Sequence, residues 1–161
     1  MIDEIEYDYY TTLATLYDTQ DIRQPYLQDT MPSSNAQRIG AIAETRFITE
    51  CLERDFEPHT PTTPMPWDFI VTCPAGDLKV QVKSTSCNKD NAYVVNTGCG
   101  RISKDYIPDS VDVVAVYLGP IQEWWMIPQS IVTSLTIKLY PENPSKSKYK
   151  KYQNNWSVYY E

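Results

Sequence analysis

Apolar residues recur along this chain with two periods, and the change of period divides it into a helix and a series of strands. Between residues 36 and 55, Ile39, Ala43, Phe47, Cys51 and Leu52 form one face, widened by Ile42 and Ile48. Spacing of three and four predicts an amphipathic helix. Glu44 lies on the flank of that face, and Gly40, one turn earlier, would let the helix approach a neighbouring backbone closely. From Phe56 onward the period falls towards two. Residues 56–60 read as a short strand, followed by a Pro-rich loop to Pro66. Residues 67–72 and 78–84 then read as a hairpin across 73–77, and 92–96 as a further strand. The run 111–118 is almost continuously apolar, as expected of a strand covered on both faces. Residues 123–127 should pair back onto it, a short helix should follow over 128–135, and 137–140 should be a last strand. Upstream, Ile2, Ile5, Tyr9, Leu13 and Leu16 predict a helix through about residue 18, and residues 31–35 a linker that closes on a helix N-cap.

Composition bounds this reading. A chain of 161 residues that is 42% hydrophobic and 22% charged can bury a core as one domain. No apolar stretch approaches the roughly 18 residues that cross a bilayer. The acidic N-terminus does not resemble a signal peptide, so a cytoplasmic location, in a bacterial or phage-infected cell, is expected. The four cysteines form no Cys-x-x-Cys pair and His59 is the sole histidine, which argues against structural zinc. The net charge of −7 argues against indiscriminate nucleic-acid binding. That charge is concentrated, however: residues 1–30 hold seven acids against Arg23 alone. From 138 to 161 five lysines face two glutamates. The expected organisation is an acidic arm and linker over 1–35, a core over 36–140, and a basic, Tyr-rich tail over 141–161.

The hairpin carries the candidate chemistry. Side chains two apart on a strand share a face, so Lys79, Gln81 and Lys83 should point away from Leu78, Val80 and Val82. On the partner strand Trp67, Phe69 and Val71 should share one face and Asp68 the other. One hairpin can then present Asp68, Gln81 and Lys83 to a single point, with Gln81 and Lys83 emerging towards the helix or solvent. The Asp68 carboxylate is a hard anionic oxygen suited to Mg²⁺. Gln81 adds an amide oxygen and Val82 its backbone carbonyl. Lys83 would hold or polarise an attacking water, and Glu44 would bind a metal-coordinated water or a second ion. This combination serves metal-assisted phosphodiester hydrolysis.

In these residues the chain resembles the PD-(D/E)XK nuclease superfamily, where a helix glutamate precedes an aspartate strand and an acid-or-Gln-x-Lys strand. Gly40-x-x-x-Glu44, Asp68 and Gln81-Val82-Lys83-Ser84-Thr85 carry the likeness. The segments 109–117 and 124–128 extend it towards a small single-domain branch that includes bacterial group I intron homing endonucleases. The resemblance implies an α/β, restriction-endonuclease-like core: a central mixed β-sheet flanked by helices, here with an N-terminal helical arm. It also implies a Mg²⁺-dependent DNA endonuclease, with Mn²⁺ as a substitute ion. Such a small chain, with one active site, would act on double-stranded DNA as a homodimer or homotetramer. Two residues depart from the pattern: Trp67 stands where a proline usually precedes the aspartate, and Gln81 replaces an acid. A structure-selective, Holliday-junction-resolvase-like nuclease and a catalytically inactive DNA-binding protein of the same fold are the alternatives.

The remaining candidates have a bland reading beside the functional one. Ser84 and Thr85 would contact a DNA phosphate or simply bond the backbone. Lys104 and Tyr106 would line the substrate cleft or lie on plain surface. Lys146, Lys148, Lys150 and Lys151 would neutralise phosphates or form a solvated tail.

Overall fold

A computed structural model of the protein describes residues 32–98 and 110–160. The chain divides into two compact units, Met1–Gln37 and Arg38–Glu161. The first is described only from Pro32, so the expected helical arm lies outside the described residues.

Helix α1 spans Pro32–Leu52 and opens on proline, whose missing N–H costs nothing in a first helical turn. Ala43, Phe47 and Cys51, each four residues apart, are completely buried. Ile42 is 46% exposed and Leu52 53% exposed, so the buried stripe is narrower than the sequence suggested. A side chain at Gly40 would meet nothing within 4 Å, so no close backbone approach explains that glycine. The helix stops at Asp55, which takes a left-handed φ of 59°. There the Phe56 N–H bonds the Cys51 carbonyl at 3.0 Å and the Asp55 N–H bonds Leu52 at 3.1 Å, a Schellman closure.

Eight strands follow: β1 Glu57–His59, β2 Phe69–Cys73, β3 Gly76–Thr85, β4 Asn88–Lys89, β5 Ala92–Asn96, β6 Val113–Leu118, β7 Glu123–Pro128 and β8 Thr136–Leu139. They form a five-stranded sheet in the order β1-β2-β3-β6-β7 and a three-stranded sheet β4-β5-β8. The larger sheet is mixed, because β3 and β6 are parallel while its other pairs are antiparallel. The hairpin turn is tighter than expected: Cys73 pairs with Gly76, at a φ of 109° that suits glycine. In place of the helix expected over 128–135 there is a single 3-10 turn at Gln129–Ile131.

Two cores lie on the two faces of the larger sheet. On one, Ala43, Phe47 and Cys51 of α1 pack over Phe69, Val71, Val80, Val82, Val113 and Ala115. On the other, Tyr93, Val95, Ile137 and Leu139 of the small sheet cover Val114, Val116, Leu118, Trp125 and Ile127. Every residue of β6 is therefore buried, which accounts for its unbroken apolar sequence. Residues 141–160 are no detached tail. Trp156 and Tyr159 belong to the helix-side core and Tyr149 to the other, and the Tyr159 carbonyl accepts the Ala75 N–H of the hairpin turn at 3.1 Å. Tyrosine and tryptophan with interspersed polar residues concealed this from the sequence pattern. Among the described residues no helix is long and apolar enough to cross a membrane.

Candidate active site

The site is built where β2 begins and β3 runs on past it. Phe69 pairs with Val80, so one step further out Asp68 stands opposite Gln81. Within a strand the N–H and C=O of one residue point to the same side. The Asp68 N–H donates to the Val80 carbonyl at 2.9 Å, which places the β2 side of β3 at its even-numbered peptides. At Val82 the neighbouring strand has ended, and the Val82 N–H donates instead to Asp68 Oδ2 at 2.7 Å. The Val82 carbonyl faces the same opening. A carboxylate held by a backbone donor, beside a backbone carbonyl, is the local product of unequal strand lengths.

Side-chain alternation on β3 holds as expected for the valines: Val80 and Val82 are in the helix-side core. Lys83 is half-buried, and its Nζ donates to the Gly98 carbonyl at 3.2 Å. Gln81 does not emerge to solvent. It is 5% exposed, and its Nε2 donates to the Pro66 carbonyl at 3.1 Å, which braces the turn leading into Asp68. Trp67 also leaves the expected face. It packs against the second core, with Lys79 Nζ 5.0 Å from its ring centroid.

Charge links Glu44 to this hairpin. Burial raises the Glu44 carboxyl above its usual pKa, the nearby Asp68 charge raises it further, and Lys83 opposes both. Burial likewise raises Asp68, against the Val82 N–H and the Lys83 ammonium, which lower it. Burial and the neighbouring like charge thus disfavour the charged form of both carboxyls, and a nearby positive charge favours it. Among the described residues no three His, Cys, Asp or Glu gather into a metal-binding group. The donors at hand are carboxylate and carbonyl oxygens, which fit a hard divalent ion that keeps several waters.

The other candidates separate. Thr85 Oγ1 donates to the Val94 carbonyl at 2.9 Å and accepts the Cys87 N–H at 3.1 Å, so its hydroxyl serves the backbone. Ser84 is half-buried beside it. Lys104 and Tyr106 lie outside the described residues. Lys148 Nζ donates to the Ile131 carbonyl at 2.9 Å and Lys150 Nζ to the Pro141 carbonyl. Those two lysines stitch the C-terminal segment down, although Lys148, like Lys146 and Lys151, is exposed. Sequence reading missed the Pro66 carbonyl, because a backbone atom in a loop leaves no residue signature.

A helix glutamate, a strand-end aspartate and a lysine on the adjacent strand of a mixed sheet are the features in which the sequence resembles a nuclease core. The chain matches the family model described as PD-(D/E)XK endonuclease over residues 34–159, and it belongs to that family. Members of this family generally use divalent metal ions. Among solved structures it is similar to a bacterial homing endonuclease, I-Ssp6803I, with a TM-score of 0.65 at 20% identity. The similarity covers 77% of this chain and 90% of that one. No curated protein sequence matches significantly.

Proposed function

We propose that this endonuclease is Mg²⁺-dependent, accepts Mn²⁺, and hydrolyses phosphodiester bonds of double-stranded DNA at specific sites in the manner of a homing endonuclease. The observation that carries the reading is the Val82 N–H to Asp68 bond of 2.7 Å at the open end of β2. It fixes the aspartate beside a carbonyl and within the electrostatic reach of Glu44 and Lys83.

In this proposal Asp68 and the Val82 carbonyl hold the ion, the Gln81 amide oxygen is a further ligand, and Glu44 acts from the helix through water. When bound, the ion supplies positive charge that offsets the charge growing on the phosphate. Lys83 orients the attacking water and adds a second cation at the scissile group. Asp68, anchored by a backbone donor, needs no reorganisation as charge shifts. The protein would assemble as a homodimer or homotetramer, since one site per chain must cut two strands.

The test is cleavage of plasmid and genomic-fragment DNA with Mg²⁺, followed by mapping of the ends. Lys83→Ala is expected to lose about 10²–10³-fold in rate, the size of one lost charge-stabilising group, while retaining fold and DNA affinity. Cleavage by that variant at the wild-type rate would remove Lys83 from the mechanism. Ends found only at branched DNA would make the enzyme a junction resolvase.

A further inference from the structure

We infer that the β4–β5 ribbon is the part of this nuclease that reads DNA bases, in the major groove beside the scissile phosphate. The inference rests on the nuclease reading and adds a recognition element to it. Residues 88–91, Asn-Lys-Asp-Asn, form the tip, and all four are exposed. Asn88 pairs with Tyr93 and Lys89 with Ala92, which leaves a two-residue turn at Asp90 and Asn91. Their φ values of 53° and 60° give the tight, twisted ribbon of a type I′ turn.

The base of the ribbon is fixed, and fixed to the catalytic strand. Tyr93 and Val95 sit in the second core with Ile137 and Leu139 of β8. β3 ends at Thr85 and β4 begins at Asn88, three residues on. The Thr85 hydroxyl joins the two by bonding both the Val94 carbonyl and the Cys87 N–H, and the Val94 N–H bonds the Cys87 carbonyl at 3.1 Å. A rigid stem with a polar tip can hold a register on DNA, whereas a loose loop cannot. A two-stranded ribbon fits the major groove, where asparagine pairs with adenine and lysine with guanine. Asn88, Lys89 and Asn91 supply those groups. Lys138, exposed on β8 and paired with Val94, adds a phosphate-binding charge behind them.

Chain length sets the scale. Eight residues from Lys83 to Asn91, the farthest of the three, span at most ~27 Å, and DNA rises ~3.4 Å per nucleotide along a strand. The bases read therefore lie within about eight base pairs of the cut.

The experiment randomises the base pairs flanking a mapped cleavage site, digests the library with full-length protein and Mg²⁺, and sequences the products. Wild type should show base preferences within that distance. The triple variant Asn88→Ala, Lys89→Ala, Asn91→Gly, whose glycine suits the left-handed turn position, should lose them by about tenfold or more while cutting and melting like wild type. Lys89→Ala alone, judged the same way, decides the matter should the triple variant misfold. Unchanged preferences in the variants would overturn the ribbon assignment and leave the nuclease intact. Unchanged preferences together with a lost oligomer would make the ribbon a subunit contact, which also overturns it. A wild type that cuts no DNA with Mg²⁺ or Mn²⁺ would overturn the nuclease reading and the ribbon with it.

Discussion

Asp68→Asn separates the electrostatic role of the site from its catalytic one, because the amide keeps the shape and an acceptor oxygen while removing the charge. In the cation-free protein two effects oppose each other. The 2.7 Å bond from the Val82 N–H loses its charge assistance, which costs about 1 kcal/mol. Against this, a carboxyl raised by burial and repelled by Glu44 is replaced by a neutral group, which is favourable. Stability should therefore stay within about 1 kcal/mol of wild type, or about 2–4 °C in Tm for a chain of this size. Asp68→Ala behaves differently, because it strands the Val82 N–H in a half-buried place. That costs about 2 kcal/mol, or about 4–8 °C. Cation binding to wild type supplies the contrast. At ten times its Kd, Mg²⁺ stabilises the fold by about 1.4 kcal/mol, a rise of about 3–6 °C. The assay is thermal denaturation without DNA, in MgCl₂ against NaCl of equal ionic strength. Wild type should show the rise, and Asp68→Asn should melt like cation-free wild type in both salts. An undiminished Mg²⁺-dependent rise in Asp68→Asn would refute the assignment of Asp68 to the ion.

The pH dependence and the core give further tests. Both carboxyls have folded pKa values above their unfolded ones, so the folded state binds more protons in that window. Cation-free protein should lose stability as pH rises from the ordinary carboxylate range through the raised values, and Mg²⁺ should reverse that loss only above it. Urea titrations at a series of pH values check this, and a flat wild-type profile would count against the coupling. Trp156→Ala should cost about 3–5 kcal/mol and lower Tm by roughly 6–20 °C. Its ring is buried, with Phe47 at 6.0 Å, Tyr159 at 5.5 Å and the Arg54 guanidinium 4.3 Å above it. A drop under a degree would return residues 141–160 to the status of a tail.

Much of the fold could be read in the sequence because period and burial coincide in its central elements. Ala43, Phe47 and Cys51 have one helical spacing and one fate, and β6 is apolar throughout because a helix lies over one face and a small sheet over the other. The register of the hairpin was readable for the same reason: placing Val80 and Val82 in the core obliges Gln81 and Lys83 to point the other way. Burial along the C-terminal segment follows no period. Its 3-10 turns at Pro144–Lys146, Lys150–Tyr152 and Ser157–Tyr159 alternate with single buried aromatics, Tyr149, Trp156 and Tyr159, and a lysine-rich composition reads as solvated unless its ammonium groups are known to bond carbonyls.

Within the site, the side chains could be read in the sequence and the backbone could not. Glu44, Asp68 and Lys83 influence one another's charge, but Lys83 does not emerge towards the helix as expected, because Val80 and Val82 take the helix-side face of β3. That Val82 N–H bonds the aspartate depends on β2 beginning only at Phe69 while β3 continues past it to Thr85, a difference in strand length that no residue type encodes. The same holds for Gln81, a residue with the right oxygen for a metal and, in the fold, an amide nitrogen given to Pro66. Replacing an acid by glutamine at that position exchanges a charge for a brace on the turn before Asp68. In the proposed site, the loss of one negative charge would weaken the hold on the ion and the braced turn before Asp68 would strengthen it. Gln81→Glu should therefore restore charge but release Pro66, since a carboxylate has no N–H to donate.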